Sequence, residues 1–347
     1  MAFFDEAGIK KQIRSGEFSR AYLIYGNEGY LKQFYSNQLV KKTVNADFVD
    51  FNLKKLDGKE TNLNEINDCA FTFPMMGNYT CTLVRDYPLN NFVGDKGKLD
   101  KDFESVMSEL PETTVLIFYM DTIEVDEKNS KWAKIIKCFD TYGASVKLDK
   151  RTRSELEKLL VSSAAKKDCT ISRDTASYMI RVVGEDISTL QNEFNKVCAY
   201  AGSGEITREH IDEAAIASVE SKIFTLSRNI VQGEADQAFE ILGNLFKLRE
   251  EPVMILGVLS KAYVDMYRVK AAKEKGVPYT NLSNLYPSSY KGRGFLLDNG
   301  ARDSSRYTIA QLRNALNILS ETDKRMKSTG EDNRTLLEEL VLRLMRI

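Results

Sequence analysis

Gly26 and Lys32 stand six residues apart behind the apolar run AYLIY. That is the spacing of a phosphate-binding loop, G-x-x-x-x-G-K-[ST], whose lysine reaches the outer phosphates of a nucleotide. Two further parts complete such a loop. A second glycine lets backbone N–H groups close on the phosphate, and a hydroxyl holds Mg²⁺. Leu31 and Gln33 occupy those two positions here. A leucine Cβ obstructs the close approach that glycine permits. The amide of glutamine is a poor substitute for the hydroxyl. A plain strand, turn and helix with an incidental lysine explains so partial a match equally well. Either reading predicts no tight ATP binding and no bound cofactor.

The other half of a nucleotide site gives an independent check. Its signature is an apolar strand ending in aspartate, followed in many ATPases by glutamate. The segment TTVLIFYMDTIE has the strand and Asp121, but Thr122 stands where the glutamate belongs. Many strands end in aspartate, so Asp121 alone says little. Two damaged elements in the right order say more: a nucleotide site without its working parts.

Other chemistries find less support. The chain has a single histidine, His210, within the polar segment EITREHIDEAA, where a solvated helix face accounts for it. A catalytic triad or a histidine metal site is therefore disfavoured. Five scattered cysteines without a C-x-x-C point to neither a zinc ribbon nor a disulfide framework. They fit a reducing cytoplasm. A net charge of −1 disfavours a globally basic nucleic-acid binder. No apolar run approaches the ~20 residues that cross a bilayer, so no membrane partner is expected. MAFFDEAGIKKQIRSG predicts no secretory signal.

A second candidate is a surface rather than a reaction centre. The segment AFTFPMMGNYT joins a helix to a strand and holds Phe73, Pro74, Met75 and Met76. Proline stops the helix, and Gly77-Asn78 is turn chemistry. Methionine usually fills gaps in cores, yet it also suits adaptable binding surfaces. Two adjacent methionines in so short a loop can hardly both point inward. The residues alone leave core and partner contact both open.

These residues need a frame. Short apolar or β-branched runs at 21–25, 48–54, 80–85, 114–120 and 145–148 predict strands. Helical patterns fall between them, as in NLNEINDCAF and KWAKIIKCF. Such alternation predicts an α/β domain with a mainly parallel sheet covered on both faces. Beyond Leu148 the strands give way to helices. Ala176, Met179, Ile180 and Val183 form one apolar stripe stopped by Gly184, and Asp186 caps the next helix. Pro252 opens a long helix that Gly276 closes, and Leu336, Leu337, Leu340, Val341 and Leu344 form a wide apolar face at the end. A loop near 278–305 carries Lys291 and Arg293, which could touch nucleic acid, although a solvated connection explains them more simply.

Together these segments resemble the delta subunit family of the bacterial DNA polymerase III clamp loader, over essentially the whole chain. YLIYGNEGYLKQ is similar to that family's degenerate phosphate loop, and FTFPMMGN to its clamp-binding element. VVGEDISTLQNEFNKVCAY, FTLSRNIVQGEADQAFEILGNLF and ETDKRMKSTGEDNRTLLEELVLRL resemble its later signatures. The resemblance implies an AAA+ type P-loop-like α/β domain over 1–149 and two all-α domains, a lid over 150–217 and an oligomerising collar over 218–347. It implies partners: the beta sliding clamp, the gamma/tau and delta prime subunits of a hetero-pentamer, and primed DNA through the complex. It also implies that Met75 and Met76 insert into the clamp beside Phe73 and Pro74. Many relatives have Phe or Leu there, so Met-Met is a departure that keeps the apolar character. In this reading the subunit opens one clamp interface without hydrolysing ATP; an active AAA+ ATPase or a helical DNA-binding scaffold are the alternatives.

Overall fold

Strand and helix alternate through the first 151 residues, and helices dominate the remainder. The computed structural model describes residues 3–4, 6–94, 97–290 and 293–347, and the chain divides into two units, 1–151 and 152–347.

The first unit holds strands β1 (Phe3–Phe4), β2 (Ala21–Tyr25), β3 (Leu53–Asp57), β4 (Thr80–Arg85), β5 (Thr114–Tyr119) and β6 (Ala144–Lys147). Its helices are α1 (Glu6–Ser15), α2 (Gly29–Thr43), α3 (Val49–Asn52), α4 (Leu63–Ala70), α5 (Lys101–Glu109) and α6 (Ser130–Tyr142). The six strands lie in the order β1-β6-β2-β5-β4-β3, and every pairing is parallel. Burial explains the sequences. All five residues of β2 are buried, which is why AYLIY shows no alternation. β3 sits at an edge, and its LKKLD is correspondingly polar. Leu23, Leu116, Phe118, Trp132, Ile135 and Phe139 belong to the core between the sheet and its helices.

One expected strand moves. Residues 48–54 do not form it; Val49–Asn52 coils into a helical turn, and the strand starts at Leu53. The register gives the reason. β3 pairs Leu53 with Cys81 and Asp57 with Arg85, so there is no partner strand for residues before Leu53. Intrinsic β preference in FVDF loses to the place where pairing can begin.

The second unit contains α7 (Arg153–Ala165), α8 (Arg173–Val183), α9 (Ile187–Ala201), α10 (Arg208–Ala214), α11 (Val219–Gln232), α12 (Ala235–Lys247) and α13 (Pro252–Glu274). It continues with α14 (Leu282–Leu285), α15 (Pro287–Tyr290), α16 (Gly294–Asp303), α17 (Ile309–Ser328) and α18 (Asn333–Met345). The stripe on α8 is buried at Ala176, Met179, Ile180 and Val183, and Asp186 accepts a hydrogen bond from the Thr189 amide at 2.8 Å. The Leu-rich face of α18 packs with Ile223, Leu242, Leu259 and Leu319 in one core of this unit. The unit is not purely helical. Strands β7 (Cys169–Ile171) and β8 (Gly204–Ile206) form a two-stranded parallel ladder. Each is only three residues long and lies among polar neighbours, so neither leaves a periodic trace in the sequence. Gly300 lies close to the backbone of Asp265, bringing α16 tightly against α13.

Candidate functional site

Two separate places in the first unit gather the residues singled out above. At the carboxyl end of the sheet, Gly26 follows β2 and Asp121 follows β5, its neighbour. This is where open parallel sheets bind ligands, beside a strand flanked by others of different connectivity. The sequence therefore brings Gly26, Lys32 and Asp121 together. What they do there is structural.

Gly26 has φ +119°, and a Cβ on it would come 2.2 Å from the Leu148 carbonyl oxygen. The turn after β2 is pressed against the chain leaving β6, where the Glu28 amide donates to the same carbonyl at 3.0 Å. The glycine is required by that contact. Lys32 is buried, and its Nζ donates to the carbonyls of Met120 at 2.6 Å and Asp121 at 3.2 Å. The ammonium thus ties α2 to the end of β5. Burial lowers its pKa, while the charges of Asp121, Asp86 and Glu28 act the other way.

The amino end of α2 would be the anion site of a working phosphate loop. Here Glu28 caps it: the buried side chain accepts from the Tyr30 amide at 3.2 Å. An internal carboxylate takes the place that a phosphate would need. Asp121 is engaged as well, accepting from the Arg85 guanidinium and, at 2.9 Å, from the Tyr119 hydroxyl.

Asp86, which ends β4 just as Asp121 ends β5, organises the turn beside it. One of its carboxylate oxygens accepts from the amides of Asp121 and Thr122 at 2.8 Å and of Ile123 at 3.2 Å. The other accepts from the Thr122 hydroxyl at 2.8 Å. Burial opposes ionisation of Asp86, but these donors outweigh it and hold its pKa below the ordinary value. Thr122, in the position of the missing glutamate, serves this clasp. The Asp86 role follows from the same strand-then-aspartate signal in TLVRDY that drew attention to Asp121.

The second place is the loop between α4 and β4. Because the strands are parallel, a loop entering β4 lies at the opposite edge of the sheet, about 20 Å along a six-residue strand. Phe73 is 81% exposed, Met75 49% and Met76 76%, while Pro74 is half-buried. The apolar side chains are not part of the core. Met76 adopts φ +53°, a left-handed conformation uncommon for a residue with a side chain.

A buried side chain holds this loop. Asn52, 2% exposed at the end of α3, accepts from the Met75 amide at 2.7 Å and donates to the Met75 carbonyl at 2.8 Å. Nothing in the sequence announces it, since its partner is 23 residues away. The loop's flanks are also fixed, by Thr80 Oγ1 on the Thr72 carbonyl and by Thr114 Oγ1 on the Ala70 carbonyl. The four residues are thus a preorganised apolar tip. We expect Asn52→Ala to release it: the Met75 amide should exchange with solvent at least about tenfold faster, with β4 amides unchanged, when followed by hydrogen exchange. Equal protection in both proteins would show that the Asn52 clip is not what fixes the loop.

Of the remaining candidates, Lys291 lies outside the described residues. Arg293 is described and stands 3.7 Å from Glu185 in a surface ion pair. His210 is a capping residue, its Nδ1 accepting from the Thr207 amide at 3.3 Å. Among the described residues no helix is long and apolar enough to cross a membrane.

Comparison with known proteins agrees with this architecture. The family model for the delta subunit of DNA polymerase III matches residues 22–146, and the model for the C-terminal domain of the same subunit matches residues 220–344. Together they cover more than two thirds of the chain. The chain is 24% identical to DNA polymerase III subunit delta of Bacillus subtilis, over 97% of its own length and 96% of the relative's. It is 21% identical to the probable DNA polymerase III subunit delta of Aquifex aeolicus, over 74% of the chain and 72% of that protein. Among solved structures it is similar in fold to the Bacillus subtilis DNA clamp loader delta protein, with a TM-score of 0.61 over 98% of this chain and 99% of that one.

Proposed function

The chain belongs to the DNA polymerase III delta subunit family, and on that footing we propose that it binds the beta sliding clamp through Phe73, Pro74, Met75 and Met76 and opens one clamp interface without hydrolysing ATP. The observation that carries this reading is the clipped loop. Three large apolar side chains stand in solvent on a segment held by a buried asparagine. Exposed apolar groups on an ordered support are what a protein partner's pocket requires.

The opposite end of the sheet supports the second half of the proposal. Lys32, Glu28 and Asp121 already have internal partners, so nucleotide binding would have to break them. The subunit then acts as a handle, and ring opening is a population effect: it must bind the open clamp better than the closed one. Within the assembly, residues 150–217 serve as lid and residues 218–347 as the collar that meets the gamma/tau and delta prime subunits. Primed DNA reaches this chain through the complex.

The test is a pull-down with the organism's own sliding clamp together with an ATPase assay. The clamp should be retained, and the isolated chain should show no turnover above the protein-free blank. Turnover that disappears in Lys32→Ala would overturn the non-hydrolysing assignment and favour an active AAA+ ATPase.

A further inference from the structure

The second unit has an open cleft of about 630 Å³, reached by α8, the start of α9, α11, α13 and α16. Six cations line it: Arg153, Arg181, Arg228, Lys261, Arg293 and Arg302. Among the described residues three carboxylates do, Glu185, Asp186 and Glu220. Two of those are already engaged. Glu185 pairs with Arg293, and Asp186 caps α9. Arg302 turns to Asp303 at 2.7 Å, and Arg153 donates to the Ser177 carbonyl and stacks 4.4 Å over Phe295.

Among the described residues, Arg181 and Arg228 are left without a carboxylate. Arg181 lies 5.0 Å from the Tyr178 ring, which satisfies none of its forked donors. The Arg228 Nε is buried and, among the described residues, has no hydrogen-bond partner, an arrangement that costs free energy. The cations also repel one another. Partial burial and the nearby Arg208, Arg228 and Arg302 charges hold the Arg181 guanidinium below its ordinary pKa, with Tyr178 opposing. A cleft that concentrates like charge and leaves two guanidinium groups without a carboxylate is set up for an anion.

We propose that this cleft binds a phosphate-bearing anion, held by Arg181 and Arg228 with Lys261 beside them. Guanidinium forks converging from separate helices offer more donors than one carboxylate can accept, whereas the oxygens of a phosphate or a short run of phosphates match them bidentately. The inference is independent of the clamp reading, which concerns the first unit.

The full-length chain should be titrated with inorganic tripolyphosphate and, separately, with a labelled oligothymidylate at low salt. The double variant Arg181→Gln, Arg228→Gln should lose at least about tenfold in affinity for the probe that binds, because two charge-assisted contacts are removed. Arg181→Gln alone, at an exposed position, should lose about threefold and keeps the test decisive if the double variant misfolds. Lys42→Gln with Lys55→Gln, exposed in the first unit, should change neither titration. Oligothymidylate binding that weakens steeply with salt and is displaced by tripolyphosphate identifies the source as a nucleic-acid backbone. Tripolyphosphate binding alone identifies a free oligophosphate. The proposal is overturned if neither probe binds the wild-type chain, or if the arginine variants bind as tightly as wild type.

Discussion

Met75→Ala with Met76→Ala should abolish retention of the sliding clamp and leave the circular dichroism spectrum unchanged. Met76 is largely in solvent and Met75 about half exposed in the free chain, so truncating them removes little from its core. Their apolar surface is instead available for burial against a partner. Fully burying one methionine contributes ~1.5–3 kcal/mol, so the surface the pair still exposes contributes roughly 2–4 kcal/mol before association and ordering costs. Losing even the lower figure weakens binding by about 30-fold. The ordering cost is small because the Asn52 clip holds the backbone of Met75 before any partner arrives. Phe73→Ala tests the neighbouring contact separately; at 81% exposure it too can be removed without disturbing the fold. Undiminished clamp affinity in the double methionine variant, measured by surface plasmon resonance, would remove this loop from the interface.

Gly26→Ala separates the two meanings of the glycine. In a phosphate loop it matters for a ligand; here the backbone of Leu148 occupies the space a Cβ would need. A left-handed φ in a non-glycine residue costs roughly 1–2 kcal/mol, and a displaced backbone adds about 1–3 kcal/mol more. The variant should therefore lose about 3 kcal/mol of stability in the first unit. Trp132, the only tryptophan, is buried on α6 of that unit and reports on it selectively. The urea midpoint followed by its fluorescence should fall by about 1 M or more. An unchanged midpoint would mean that the turn relaxes freely and that Gly26 has no structural duty.

Much of this is legible in the sequence. The strand–helix alternation in residues 21–148 followed from short apolar runs, because a sheet covered on both faces buries every residue of its central strands. The helical stripes of α8, α9 and α18 followed from spacing and caps, which are local properties. The damaged phosphate loop was visible in Leu31 and Gln33, and the apolar tip in the adjacency of Met75 and Met76 to a proline and a glycine.

What the sequence by itself determined was therefore composition and period: which segments coil, which extend, and which nucleotide-site residues are missing. Only the tertiary structure decided what the survivors do. Glu28 turned out to cap its own helix, Lys32 to bind strand-end carbonyls, and Asn52 to clip a loop 23 residues away. The start of β3 at Leu53 and the small β7–β8 ladder were settled by pairing with distant segments. The physical reason is common to all of them. A hydrogen bond or a strand register depends on which group arrives within about 3 Å in the folded chain, and one-dimensional spacing carries no record of partners brought there by the rest of the fold.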